Sequence, residues 1–108
     1  MIVLDEKVGQ RGRQVVSFVS KQAVVRAAFI FGSQAAGTAD EDSDIDIALF
    51  IEGVEDWDIA RRIRLIVDTQ RELGDDLELH LFPANSFESP ERASFAAYVK
   101  TRGISLAG

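Results

Sequence analysis

The sequence predicts a small α/β (α+β) protein in which a mixed β-sheet is covered by helices. Three observations carry that expectation. Two segments, Asp44–Ile51 and Leu77–Phe82, alternate apolar and polar residues with period two, as half-buried strands do. A short apolar run, Ala27–Phe31, stops at Gly32 and reads as a buried strand. Between and around these segments, apolar residues recur at helical spacing.

Taken in order, Val8, Val15, Val19 and Ala23, helped by Phe18, predict a first helix from about Val8 to Ala23. The Ala27–Phe31 strand follows. Gly32–Ser43 is rich in Gly, Ser, Ala, Thr and Asp and reads as a turn and loop, with one helical turn after Ser33. In the next strand Ile45, Ile47, Leu49 and Ile51 fall on one face, and Asp44, Asp46, Ala48 and Phe50 on the other. From about Asp56 to Leu73, an apolar stripe of Ile59, Ile63, Ile66, Val67 and Leu73 predicts a second long helix, with Arg61, Arg62 and Arg64 on its solvated side and Gly74 as its C-cap. Leu77, Leu79 and Leu81 then face opposite to Glu78, His80 and Phe82. Ser89-Pro90-Glu91 opens a final helix that runs to about Arg102 and ends at Gly103.

Composition bounds the function. The 108 residues fit a single domain spanning 1–108, and 46% hydrophobic residues suffice for a core, which excludes wholesale disorder. Without cysteine there is neither a disulfide scaffold nor a thiolate metal site. No apolar run reaches the ~18–20 residues of a membrane span, and the N-terminus lacks the pattern of a signal peptide, so a cytoplasmic location is expected. A formal charge of −6 argues against direct nucleic-acid binding, which favours a basic face.

The chemistry concentrates in a few acidic residues. Asp44 and Asp46, at i and i+2 of one strand, share a face with Cα atoms ~6.5–7 Å apart. Together they suit a hard divalent cation such as Mg²⁺, which prefers carboxylate oxygen; the alternative is a solvated strand end satisfied by backbone donors. Glu78 lies on the polar face of the next strand. If the two strands are neighbours, three carboxylates converge, and a pair of divalent ions relieves their repulsion and supports in-line phosphoryl displacement; otherwise Glu78 is an exposed edge charge. Gly32 and Ser33, at a strand-to-turn transition, permit close backbone approach to an anion, or form an ordinary turn. His80, the only histidine, reads as a hydrogen-bonding residue, Trp57 as packing, and Phe87, Phe95 and Tyr98 as core.

The order Gly32-Ser33-Gln34-Ala35-Ala36-Gly37, then Ser43-Asp44-Ile45-Asp46-Ile47-Ala48, resembles the signature of the nucleotidyltransferase β-like superfamily. The small size is similar to the minimal nucleotidyltransferase (MNT) group, the antitoxins of HEPN–MNT toxin–antitoxin pairs. Leu77-Glu78-Leu79-His80-Leu81-Phe82-Pro83 and the tail to Gly103-Ile104 resemble one branch of that group, so the likeness runs from Ala27 onward. The resemblance implies a nucleotidyltransferase-like fold and Mg²⁺-dependent transfer of AMP from ATP to a hydroxyl, with a tyrosine of a HEPN ribonuclease toxin as the acceptor. It implies Asp44, Asp46 and Glu78 as catalytic and metal-binding residues, with two Mg²⁺ ions, and Gly32 and Ser33 as nucleotide-binding. Ala36 departs from the pattern, because many relatives carry Arg there; this favours the alternative of an antitoxin that neutralises by binding alone. Self-association is left open.

Overall fold

The computed structural model describes residues 4–40, 42–88 and 94–106. Helix α1 (Glu6–Val19) starts where Asp5 accepts hydrogen bonds from the Lys7 and Val8 amides at 2.8 and 3.3 Å. It ends at Val19, one turn earlier than the predicted Ala23, which packs beside the core from the following turn. Strand β1 (Val25–Phe31), helical turn α2 (Ser33–Ala36) and strand β2 (Ile45–Ile51) follow. After a 3-10 turn at Val54–Asp56, helix α3 (Ile59–Leu73) begins at Asp58, which caps the Arg61 amide at 2.8 Å, and Gly74 closes it. Strand β3 (Leu77–Pro83), helix α4 (Ala84–Glu88), helix α5 (Phe95–Arg102) and strand β4 (Ile104–Ser105) complete the described chain. The predicted helix start at Ser89-Pro90-Glu91 lies outside the described residues; α5 itself opens on Ser94, whose hydroxyl accepts from the Ala97 amide.

The strands form one sheet in the order β3-β2-β1-β4. β2 and β3 run parallel, the other pairs antiparallel. A parallel pair needs a crossover, and α3 provides it. One sheet face carries an aliphatic core in which Ile45, Ile47, Leu49, Ile51, Leu77 and Leu79 meet Val15 and Val19 of α1 and Leu65 of α3. Gly12 allows α1 to lie close: a Cβ there would fall 2.9 Å from the Leu106 side chain and 3.1 Å from that of Ile30. The opposite face is aromatic, with Phe29, Phe31 and Phe50 packed against Ala96 and Val99 of α5. The mixed α/β class therefore stands, with helices on both faces.

Two apolar sets differ from expectation. Ile59 and Ile63 are 74% and 54% exposed, whereas Leu65 and Thr69 are buried. Leu65 is two residues beyond Ile63, about 200° around the helix, so the two sets cannot both face the sheet. Thr69 disguises the packed face: its hydroxyl donates to the Leu65 carbonyl at 2.7 Å, which lets a polar residue occupy a buried row. On α5, Phe95 and Tyr98 are exposed, and the smaller Ala96 and Val99 face the sheet instead.

The ends of β2 and β3 are pinned together. The Asp76 carbonyl accepts from the Ile45 amide at 2.9 Å. The Asp76 carboxylate receives two bonds from the Arg11 guanidinium, 2.5 and 2.6 Å, and Arg11 also reaches the Leu73 carbonyl at 2.9 Å. Arg11 holds the Asp76 carboxyl below its usual range, chiefly through these hydrogen bonds and further through its charge, against the opposing effect of burial. A carboxyl lowered on folding stabilises the fold above its unfolded pKa, and that contribution fades as pH falls through the folded value. With side-chain exposures of 32% and 40% the pair is screened by water. Asp76→Asn should therefore lower stability at neutral pH by about 1 kcal/mol, and the difference should shrink below about pH 4. Denaturant unfolding across pH checks this; a deficit that stays constant through acid would contradict it.

Candidate functional site

The parallel ladder pairs Asp46 with Glu78, and the antiparallel ladder pairs Asp46 with Phe31. These three residues form one row across the sheet, so their side chains share the aromatic face. Two positions along β3, His80 joins them: its Nε2 lies 3.3 Å from Asp46 Oδ1. Its ring packs edge-on against Phe31 at 4.9 Å and against Phe95 at 6.0 Å between centroids. Asp46, Glu78 and His80 each present a ligand atom, and these atoms lie within 4.8 Å of one another. Asp46 and His80 are half-buried; Glu78 is exposed.

Asp44 stands just before β2 and is exposed. Its carboxyl is raised above the usual range, first by a hydrogen bond with the Glu78 carboxyl and then by the charge of Glu78, with desolvation and the charges of Asp76 and Asp75 adding less. Glu78 is thus where Asp44 and Asp46 meet. The strand neighbourhood on which the three-carboxylate reading depended is present in the sheet order. Asp44 contributes through Glu78 and lies outside the tight group.

Gly32 connects this row to α2. Its φ of 71° and ψ of −147° occupy a region that essentially only glycine enters. A Cβ would also fall 2.5 Å from Asp46 Oδ2. The sharp turn sends Ser33 directly into α2, where the Gly32 carbonyl accepts from Ala36 and that of Ser33 from Thr38, each at 3.0 Å. Ser33 is half-buried at the start of this turn, next to the carboxylate row. The loop before β2 is braced internally: the Ser43 hydroxyl donates to Asp40 Oδ1 at 3.2 Å and accepts from the Asp40 amide at 3.0 Å.

The donor set fits a divalent cation. Asp46 and Glu78 offer the carboxylate oxygens that Mg²⁺ prefers, and the missing side chain of Gly32 keeps Asp46 Oδ2 clear. His80 contributes imidazole, a donor better suited to softer metals, and its contact with Asp46 orients that carboxylate. Its place on the Glu78 face and its hydrogen-bonding role were both expected from the alternation of β3; its partner, Asp46 on the neighbouring strand, depends on the strand order.

A carboxyl raised on folding stabilises below its unfolded pKa and loses that contribution as pH rises through the folded value. Asp44→Asn, which removes the repulsion at neutral pH, should melt no lower than wild type in metal-free buffer at pH 7. Its advantage should vanish in acid. A variant that is clearly less stable at pH 7 would show that Asp44 is not repelled by Glu78.

The sequence pattern of the polymerase beta nucleotidyltransferase family matches residues 13–93. In fold, the chain is similar to a candidate nucleotidyltransferase from Sulfolobus solfataricus, with a TM-score of 0.62, 18% identity, and coverage of 76% of this chain and 72% of that one. At that identity the likeness is one of fold. No curated protein matches the chain. The match over residues 13–93 takes in Gly32, Ser33, Asp44, Asp46 and Glu78 together, and the chain belongs to the polymerase beta nucleotidyltransferase family.

Proposed function

We propose that this chain is a Mg²⁺-dependent transferase that moves AMP from ATP to a hydroxyl, and that its acceptor is a tyrosine of a HEPN-domain ribonuclease toxin, which it neutralises in the cytoplasm as an antitoxin. The observation that carries the chemistry is the side-by-side pairing of Asp46 and Glu78, with Asp44 just before β2, the strand that carries Asp46. Like charges opposite one another on a sheet are destabilising, and cations relieve that repulsion.

In this reading Asp44, Asp46 and Glu78 hold two Mg²⁺ ions. When bound, such a pair stabilises the attacking and leaving oxygens of an in-line displacement. Glu78 is exposed, so a hydroxyl on a macromolecule can reach it, and its carboxylate accepts the hydroxyl proton. The acceptor oxygen bonds to the α-phosphorus of ATP, the bond from that phosphorus to the bridging oxygen breaks, and pyrophosphate leaves with the electron pair. His80 keeps Asp46 aimed at the site through their 3.3 Å contact. Gly32 gives the nucleotide close access to the backbone, and Ser33 offers a hydroxyl beside it. Among the described residues no helix is long and apolar enough to cross a membrane.

A second reading, neutralisation by binding without transfer, draws on Ala36, which leaves α2 without a charged side chain. Glu78→Gln separates the two. Under transfer, the variant should keep ATP binding yet lose rate by about 10²–10⁴-fold. Toxin co-expressed with it should then stay active and carry no added AMP by mass spectrometry. Full protection by the variant, with an unmodified partner beside wild type as well, would overturn catalysis in favour of binding.

A further inference from the structure

Beside the carboxylate row, a cleft of about 450 Å³ opens between α2 and α5. Gly32, Ala35 and Ala36 line one wall; Tyr98, Thr101 and Arg102 line the other. Gly32 belongs to both features, because its position backs directly onto Asp46 Oδ2. The cleft and the carboxylate row therefore adjoin at Gly32.

Charge decides what fits there. The row is acidic and α2, Ser33-Gln34-Ala35-Ala36, has no charged side chain. Arg102 is the cation among the residues lining the cleft. It is exposed and makes no hydrogen bond or ion pair among the described residues. Several other basic residues are committed elsewhere, and none of the rest lines the cleft. Lys100, in the same helical turn, donates to the Phe87 carbonyl at 2.8 Å and lies 4.5 Å over the Phe87 ring. Arg11 is paired with Asp76, and Arg26 with Glu52. Arg61 stacks on Trp57, and Arg62 donates to the Val54 carbonyl at 2.8 Å. A cation in the last turn of α5 also suits the helix dipole, but that alone leaves its guanidinium donors without a partner among the described residues. A planar guanidinium matches phosphate oxygens with paired N–H donors, and the neighbouring Thr101 hydroxyl can add another.

We infer that Arg102, assisted by Thr101, grips the terminal phosphates of the nucleoside triphosphate in the cleft between α2 and α5. This assignment rests on the nucleotidyl-transfer reading. It goes further by giving the C-terminal helix a part in substrate binding.

Calorimetric titration of the intact chain in Mg²⁺ with ATP, inorganic triphosphate and AMP tests it. Arg102→Ala should weaken ATP and inorganic triphosphate about ten- to hundredfold, the range for a lost charge-assisted hydrogen bond, and leave AMP binding unchanged. Arg102→Lys, which keeps the charge without the fork, should fall between. Ala36 is exposed and lines the same cleft, so Ala36→Arg in the Arg102→Ala background should restore much of the loss. ATP binding by Arg102→Ala equal to wild type would overturn the assignment alone. So would an equal loss for ATP and AMP, which would show an effect on the fold and not on the terminal phosphates. A wild-type chain that binds neither ATP nor inorganic triphosphate would overturn the transfer reading and this assignment with it.

Discussion

The parallel pairing of β2 with β3 sets Asp46 beside Glu78, and much of the remaining structure keeps them there. Adjacent carboxylates repel, so the pairing must be imposed from elsewhere. The opposite sheet face imposes it: Ile45, Ile47, Leu77 and Leu79 are buried in the aliphatic core, and a one-residue slip of either strand would send them to the wrong side. The Ile45 amide bonded to the Asp76 carbonyl, and the Asp76 carboxylate held by Arg11, fix where the ladder begins. The site is acidic because burial on one face determines what stands on the other.

The two faces of the sheet have distinct tasks. The aliphatic face packs against α1 and α3. The aromatic face begins as core, with Phe50 stacked on Phe82 at 5.1 Å and Phe29 edge-on to Phe50 at 6.0 Å. It continues through Phe31 and His80 into the carboxylate row. His80 is thus wedged between rings on one side and bonded to Asp46 on the other, which limits its rotamers and aims its Nε2. At the end of β1, Gly32 turns the chain without filling the space beside Asp46, joining a rigid sheet to an open cleft.

Much of this was legible in the sequence. Period-two alternation located β2 and β3 and assigned the faces of Asp46 and Glu78, since strand geometry leaves little freedom once one face is apolar. Gly32 was visible as a stop after an apolar run. Ile59 and Ile63 misled because apolar residues at helical spacing do not say which stripe meets the sheet, and the true stripe contains Thr69, whose hydroxyl is satisfied within the helix. Phe95 and Tyr98 misled similarly: on α5 the close approach to the sheet favours Ala96 and Val99, and the large rings are pushed outward. The short elements α4 and β4 have too few residues to show a period. That Arg102 and Ala36 line one cleft depends on how α5 docks, and no local pattern encodes that.

The central claim is that Asp46 and Glu78 exist as a pair to hold a divalent cation, and direct ion counting tests it most sharply. Mn²⁺ titrated against the intact chain in the presence of ATP, with free ion followed by electron paramagnetic resonance, reports uptake independently of any transfer reaction. The account predicts saturable uptake by the wild-type chain beyond that of ATP alone, and its loss in the Asp46→Asn/Glu78→Gln variant at unchanged thermal stability or better. Undiminished Mn²⁺ uptake by that double variant would contradict it.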